Sequence, residues 1–88
     1  MNTSTEVAQS ISAQVLRIMV ADDHDLVRQG LRSMLEAQPG WMVCGEATTG
    51  REAVDLVQQL QPDVVVIDVH MPDMDGLQAT REILAANP

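Results

Sequence analysis

Short apolar runs alternate along the chain with stretches of helical periodicity. Val15, Leu16, Ile18, Met19, Val20 and Ala21 form an almost unbroken apolar run that stops abruptly at Asp22 and Asp23. Such a run predicts a strand covered on both faces. Leu26, Val27, Gly30, Leu31, Met34 and Leu35 then recur at offsets 0, 1, 4, 5, 8 and 9, one face of a helix that Gln38-Pro39-Gly40 brings to an end. Trp41 to Ala47 predicts a second, shorter strand. Thr49 and Glu52 have the capping-box spacing, in which hydroxyl and carboxylate satisfy the first free amides of a helix. The helix they open turns Ala53, Val54, Val57 and Leu60 inward. After Gln61-Pro62, the β-branched quartet Val64-Val65-Val66-Ile67 predicts a third strand, ended by Asp68. A loop from Val69 to Asp75 leads to a third helix, which Asp75 caps and which carries Leu77, Ile83 and Leu84. Residues 1–14, rich in Asn, Thr, Ser and Gln and without sustained periodicity, predict a mobile tail.

The resulting order is β-α-β-α-β-α. Strands alternating with helices imply an α/β fold with a parallel sheet, because parallel neighbours need crossover connections. In doubly wound sheets the ligand site lies beyond the carboxyl ends of the strands, where the strand order reverses. With strands ordered 2-1-3, that point falls between strands one and three. Asp22, Asp23 and Asp68 end those two strands.

Length and composition narrow the function. Eighty-eight residues allow one small domain, because domains typically run to about 100–200 residues. Trp41 is the sole aromatic residue, so the core is aliphatic. Thirteen acidic residues against five basic ones give a net charge of −8, and all the basic residues are arginine. Nucleic acid and anionic membrane surfaces repel such a chain. No apolar run approaches the roughly 18 residues that span a bilayer, and the first basic residue, Arg17, stands too late for the charged start of a signal peptide. Cys44 is the only cysteine, which removes an internal disulfide or a multi-cysteine zinc site and points to a reducing, cytoplasmic setting.

The charge is most informative at the strand ends. Neighbouring strands lie about 4.8 Å apart, so carboxylates ending both can share one cation. Their hard oxygens suit Mg²⁺, which takes one or two protein carboxylates together with water and phosphate oxygens. Once the site is neutralised, a phosphoryl group can approach and one carboxylate can attack it, forming an aspartyl phosphate. Taken singly, each aspartate is also an ordinary turn or cap residue. It is their coincidence at one sheet edge that points to chemistry. His24 and His70 beside three carboxylates fit neither zinc geometry nor its usual closed ligand set. Met71 and Met74 read as loop-packing residues, Cys44 as a small buried hydrophobe, and Glu36, Glu52 and Asp55 as a solvated face.

The stretch Ile18-Met19-Val20-Ala21-Asp22-Asp23-His24 and the segment from Val64 through Asp68, Val69-His70-Met71-Pro72-Asp73-Met74-Asp75 to Gly76 resemble the receiver domain of two-component response regulators. The likeness is greatest to the NarL/FixJ-type subfamily, whose pattern D-D-H-x-L-V-R-x-G-L stands here as Asp22 through Leu31. It covers about residues 15 to 86. The resemblance implies a flavodoxin-like doubly wound parallel sheet, order 2-1-3. It also implies Asp68 as phosphoacceptor, with Asp22, Asp23, Asp68 and the backbone carbonyl of His70 holding Mg²⁺. Asp23 is the direct ligand on this reading and Asp22 acts through water. Pro72 and Gly76 match the loop and helix-entry positions.

Receiver domains have five strands and five helices, so the resemblance also implies that residues 15–88 are the N-terminal portion of one. The family's later Thr or Ser and its phosphate-binding Lys have no counterpart here, since the chain contains no lysine. The implied phosphoryl donor is a sensor histidine kinase. The implied parent is a transcriptional regulator that contacts DNA only through a C-terminal helix-turn-helix domain. An uncovered third strand would favour homodimerisation through its edge. Two other readings remain. One is an Mg²⁺-dependent phosphohydrolase of the haloacid dehalogenase type, which needs an aspartate where His70 stands. The other is a domain that acts only by interaction.

Overall fold

The structure, a computed structural model, describes residues 15–86. The tail expected over residues 1–14 lies outside the described residues. Six elements follow one another: β1 Leu16–Ala21, α1 Asp25–Glu36, β2 Trp41–Ala47, α2 Gly50–Leu60, β3 Val64–Ile67 and α3 Gly76–Ala86. The three strands form one parallel sheet in the order β2-β1-β3, as expected. β1 is central because it is apolar on both faces; Ile18, Met19 and Val20 are its largest fully buried side chains.

Alternation along β1 sorts the core into two layers. Ile18 and Val20 join Val43, with Leu16, Val66, Leu31 and Leu35 packed around them on the α1 side. Met19 and Ala21 face the other way, into a cluster with Ala47, Ala53, Val57 and Met71 that Leu56, Val65, Ile67 and Ile83 complete. β1 and β3 are in register from Ile18 opposite Val64 to Ala21 opposite Ile67. The two strands therefore end level, and Asp22 and Asp68 leave the sheet side by side. The β1–β2 register slips once, with Ile18 opposite Val43 but Met19 opposite Gly45. Cys44 is the extra residue of that bulge and is half-buried rather than buried.

Strand limits match the apolar runs, whereas two helix faces differ from expectation. Leu26 and Met34 are 83% and 67% exposed. Successive helical residues point about 100° apart, so the line Leu26–Gly30–Met34 lies beside the line Leu31–Leu35 that meets the sheet. On α3, Leu77 and Leu84 are likewise exposed while Gly76 and Ala79 are buried, with Ile83 packed behind them. Small residues bring this helix close to the sheet end. A Cβ at Gly76 would lie 2.8 Å from Ile67 Cγ2.

The cap of α2 also differs in detail. Thr49 Oγ1 accepts from the Glu52 amide at 3.1 Å, but Glu52 Oε1 accepts from the amide of Thr48 at 2.7 Å, one residue earlier than a capping box requires. Asp75 caps α3 as expected, its Oδ1 accepting from the Gln78 amide at 2.8 Å.

Candidate functional site

The ends of β1 and β3 are stitched together through the main chain. The Asp68 amide donates to the Ala21 carbonyl at 2.9 Å, and the Asp22 amide donates to the Ala47 carbonyl at 3.0 Å. All three strand ends are thereby fixed around one point. One ligand atom from each of Asp22, Asp23, His24 and Asp68 lies within 4.8 Å of the others. The three aspartates singled out in the sequence are thus brought together.

Their surroundings differ. Asp22 is buried, and its Oδ1 accepts from the amide of His24 at 2.8 Å and meets His24 Nδ1 at 3.0 Å. One oxygen of Asp22 therefore does ordinary turn duty. Asp68 is half-buried, its side chain 22% exposed against 31% for Asp23. Its Oδ1 accepts from the His70 amide at 3.1 Å, which turns the chain just past the strand. His70 itself is exposed and its side chain is not in the cluster.

Asp23 Oδ1 is cut off from solvent and has no hydrogen-bond partner among the described residues. His24 Nδ1 comes within 3.1 Å of it, but the ring's hydrogen bond goes to Asp22. A buried carboxylate oxygen without a donor is costly. It is a ready ligand for a hard cation, so the residues present fit Mg²⁺. His24 points the same way. Its imidazole is pushed above the ordinary value of 6.5, first by the hydrogen bond to Asp22 and then by the charges of Asp23, Asp22 and Asp68. A proton on this ring is stabilised where positive charge is wanted. From sequence His24 stands beside the carboxylates with no part in the site for its ring; the structure puts that ring in the cluster.

Two further side chains support the site from outside. Arg28 donates from Nη1 to the backbone carbonyl of Asp22 at 2.8 Å. Asp73, in the loop after β3, accepts from the amides of Gly50 and Arg51 at 2.8 and 3.0 Å. These two bonds hold its carboxyl below the ordinary value of 3.8. They tie the loop to the N-terminus of α2, where the helix dipole favours a negative charge. Met71 and Met74 of that loop are buried, as expected. Gly50 has room for no side chain there, since a Cβ would lie 2.6 Å from Met74 Cβ. Arg28 was legible as a motif position but not as a ligand of Asp22. Nothing local marked Asp73, whose partners lie 22 and 23 residues away.

The parallel sheet in the order β2-β1-β3 thus brings an acidic cluster to the point where the strand order reverses. The response regulator receiver domain family matches residues 18–88. The chain belongs to that family. The transcriptional regulatory protein LiaR of Bacillus subtilis is 48% identical over 69 residues, 78% of this chain and 33% of that protein. A protein-glutamate methylesterase/protein-glutamine glutaminase of Alkalilimnicola ehrlichii is 48% identical over 73 residues, 83% of this chain and 19% of that protein. Among solved structures, a two-component response regulator of the LuxR family from Aurantimonas superposes with a TM-score of 0.81 at 41% identity, covering 83% of this chain and 52% of that one. The chain therefore spans about a third or less of the curated relatives named here. Receiver domains are phosphoacceptors that bind Mg²⁺ through acidic residues, and this chain carries such an acidic cluster. No helix among the described residues is long and apolar enough to cross a membrane.

Proposed function

We propose that Asp68 is the phosphoacceptor of a cytoplasmic two-component response regulator, and that residues 15–88 are the N-terminal portion of its receiver domain, following a tail at 1–14. The observation that carries this reading is the Asp68 carboxylate held level with Asp22 and Asp23 at the ends of two paired strands. Asp22, Asp23 and Asp68, with the backbone carbonyl of His70, would hold Mg²⁺. When bound, the cation neutralises the cluster and draws in the oxygens of a phosphoryl group.

The chain's own residues perform the rest. An Asp68 oxygen attacks phosphorus, the bond from phosphorus to the donor's histidine nitrogen breaks, and that nitrogen takes up a proton from water. The Asp68 amide bond to Ala21 and the His70 amide bond to Asp68 aim the nucleophile. The donor is a sensor histidine kinase, and on this reading the domain phosphorylates itself from that donor, as an acceptor rather than a turnover enzyme. LiaR is named a transcriptional regulatory protein; on that model the parent reads its phosphorylation out through a C-terminal DNA-binding domain. His70 stands where a dehalogenase-type phosphohydrolase needs an aspartate, which counts against hydrolysis.

Incubation with MgCl₂ and acetyl phosphate, followed by intact-mass measurement, tests the assignment. The longer protein is expected to take up one phosphoryl group, the 88-residue chain little, and the longer protein carrying Asp68→Asn none. Equal uptake by that variant would remove Asp68 from the role.

A second expectation concerns self-association of the 88 residues. Among the described residues β3 is paired on one side, Val64 is exposed, and a cleft of about 370 Å³ lined by Val65, Ile67, Thr80, Ile83 and Leu84 opens beside it. Such an edge favours a homodimer. A monomer by light scattering at high concentration would count against it.

A further inference from the structure

We infer that Arg28 is a positioning residue for the cation-binding carboxylates and acts through the backbone carbonyl of Asp22. The inference rests on the reading of Asp22, Asp23 and Asp68 as a Mg²⁺ site. Each nitrogen of the guanidinium has its own partner. Nε donates to Glu46 Oε1 at 3.0 Å, Nη1 to the Asp22 carbonyl at 2.8 Å and Nη2 to Asp25 Oδ1 at 2.7 Å. Only 14% of the side chain is exposed. The second oxygen of Glu46 accepts from Arg32 Nη1 at 2.6 Å, and Arg32 Nε donates to Glu36 Oε1 at 3.2 Å. A continuous set of bonds thus runs from α1 across β2 to the end of β1.

The peptide between Asp22 and Asp23 is where this network matters. Asp22 is anchored at its amide by the Ala47 carbonyl and at its carbonyl by Arg28. The side chain of Asp23 starts from that peptide, and its Oδ1 makes no hydrogen bond among the described residues, with His24 Nδ1 as a charged neighbour at 3.1 Å. The backbone peptide therefore does most to set its place. A lysine in place of Arg28 keeps the charge, but its single nitrogen cannot reproduce a planar fork with three separate partners.

Charge and position make opposite demands. A guanidinium beside a cation site repels the cation, so removing the charge alone strengthens metal binding. Loss of an outer partner that orients a ligand weakens it, typically by about 10–100-fold. The sign of the change therefore separates the two roles.

Wild type, Arg28→Lys, Arg28→Met, Glu46→Gln and Asp23→Asn would each be titrated as the full chain. MgCl₂ would be followed by calorimetry and MnCl₂ by the free-ion electron paramagnetic resonance signal. Circular dichroism would establish that each variant is folded at the working temperature. Both Arg28 variants are expected to bind about tenfold or more weakly, Glu46→Gln to weaken binding in the same direction, and Asp23→Asn to abolish it. A role in stability alone lowers the melting temperature and leaves the affinity of the folded variants unchanged, which would overturn the inference, as would tighter binding by Arg28→Met. Where neither Arg28 variant folds, Glu46→Asp, which keeps the charge but draws the carboxylate back from Arg28 Nε, is titrated in their place: weaker binding supports the inference and unchanged binding overturns it. Equal binding by wild type and Asp23→Asn, or none by wild type, overturns the cation reading and the inference with it.

Discussion

α1 and α2 carry similar amphipathic patterns and lie on opposite faces of the same sheet, yet they are held by different forces. α2 buries Gly50, Ala53, Val54 and Val57 and is capped by Thr49, with Asp73 accepting from its first amides. α1 buries none of its residues and has no side-chain cap. Leu31 and Leu35 pack it against the sheet, and Arg28 and Arg32 tie it to β2 through Glu46. Burial contributes about 25 cal/mol per Å² of apolar surface, whereas exposed ion pairs contribute little. The helix α2 therefore contributes more buried apolar surface of its own than α1 does. The α1 side is where directional bonds reach the site.

Substitutions on the two faces put that contrast to the test. Met19→Ala, in the fully buried layer under α2, is expected to cost about 2–5 kcal/mol. Leu31→Ala, half-buried under α1, should cost less. Urea unfolding followed by circular dichroism measures both, and equal losses would mean that α1 is as firmly packed as α2. The glycines give the next largest contrast. Gly50→Ala drives a methyl into Met74, and such overpacking typically costs about 1–3 kcal/mol. Gly30→Ala, on α1 with nothing within 4 Å of the new methyl, should instead stabilise by about 0.4–1 kcal/mol. Thermal melts of the pair are expected to shift in opposite directions.

The smallest effect concerns pH. The amides of Arg51 and Gly50 favour the ionised form of Asp73 and lower its folded value. The stability it contributes is therefore complete above the unfolded value near 3.8 and is lost as pH falls from there through the lower folded value. Asp73→Asn should flatten that part of the stability profile. Denaturation at neutral pH and again below the ordinary aspartate range measures it. An unchanged acid limb would show that the clasp on α2 carries no linkage.

Much of this was legible in the residues themselves. The strands fell on their apolar runs because a residue covered on both faces of a sheet leaves little choice of side chain. Asp22, Asp23 and Asp68 stood out because each interrupts such a run. Helix faces were less legible. Leu26 and Met34 belong to a broad apolar stripe on α1, and nothing in a periodic pattern says which line of that stripe will meet the sheet. Leu77 and Leu84 misled for a related reason, since α3 approaches through its smaller residues, Gly76 and Ala79.

The site divides in the same way. Sequence by itself determined the chemistry available, three carboxylates at strand ends and an arginine one helical turn beyond them, because side-chain type is local information. Only the tertiary structure decided their arrangement. The level ending of β1 and β3, the bond from Arg28 to the Asp22 carbonyl, the unpartnered oxygen of Asp23 and the reach of Asp73 to α2 all join residues distant in sequence or depend on where a peptide plane points. Distances of that kind are set by how strands register and helices pack, and no spacing along the chain encodes them.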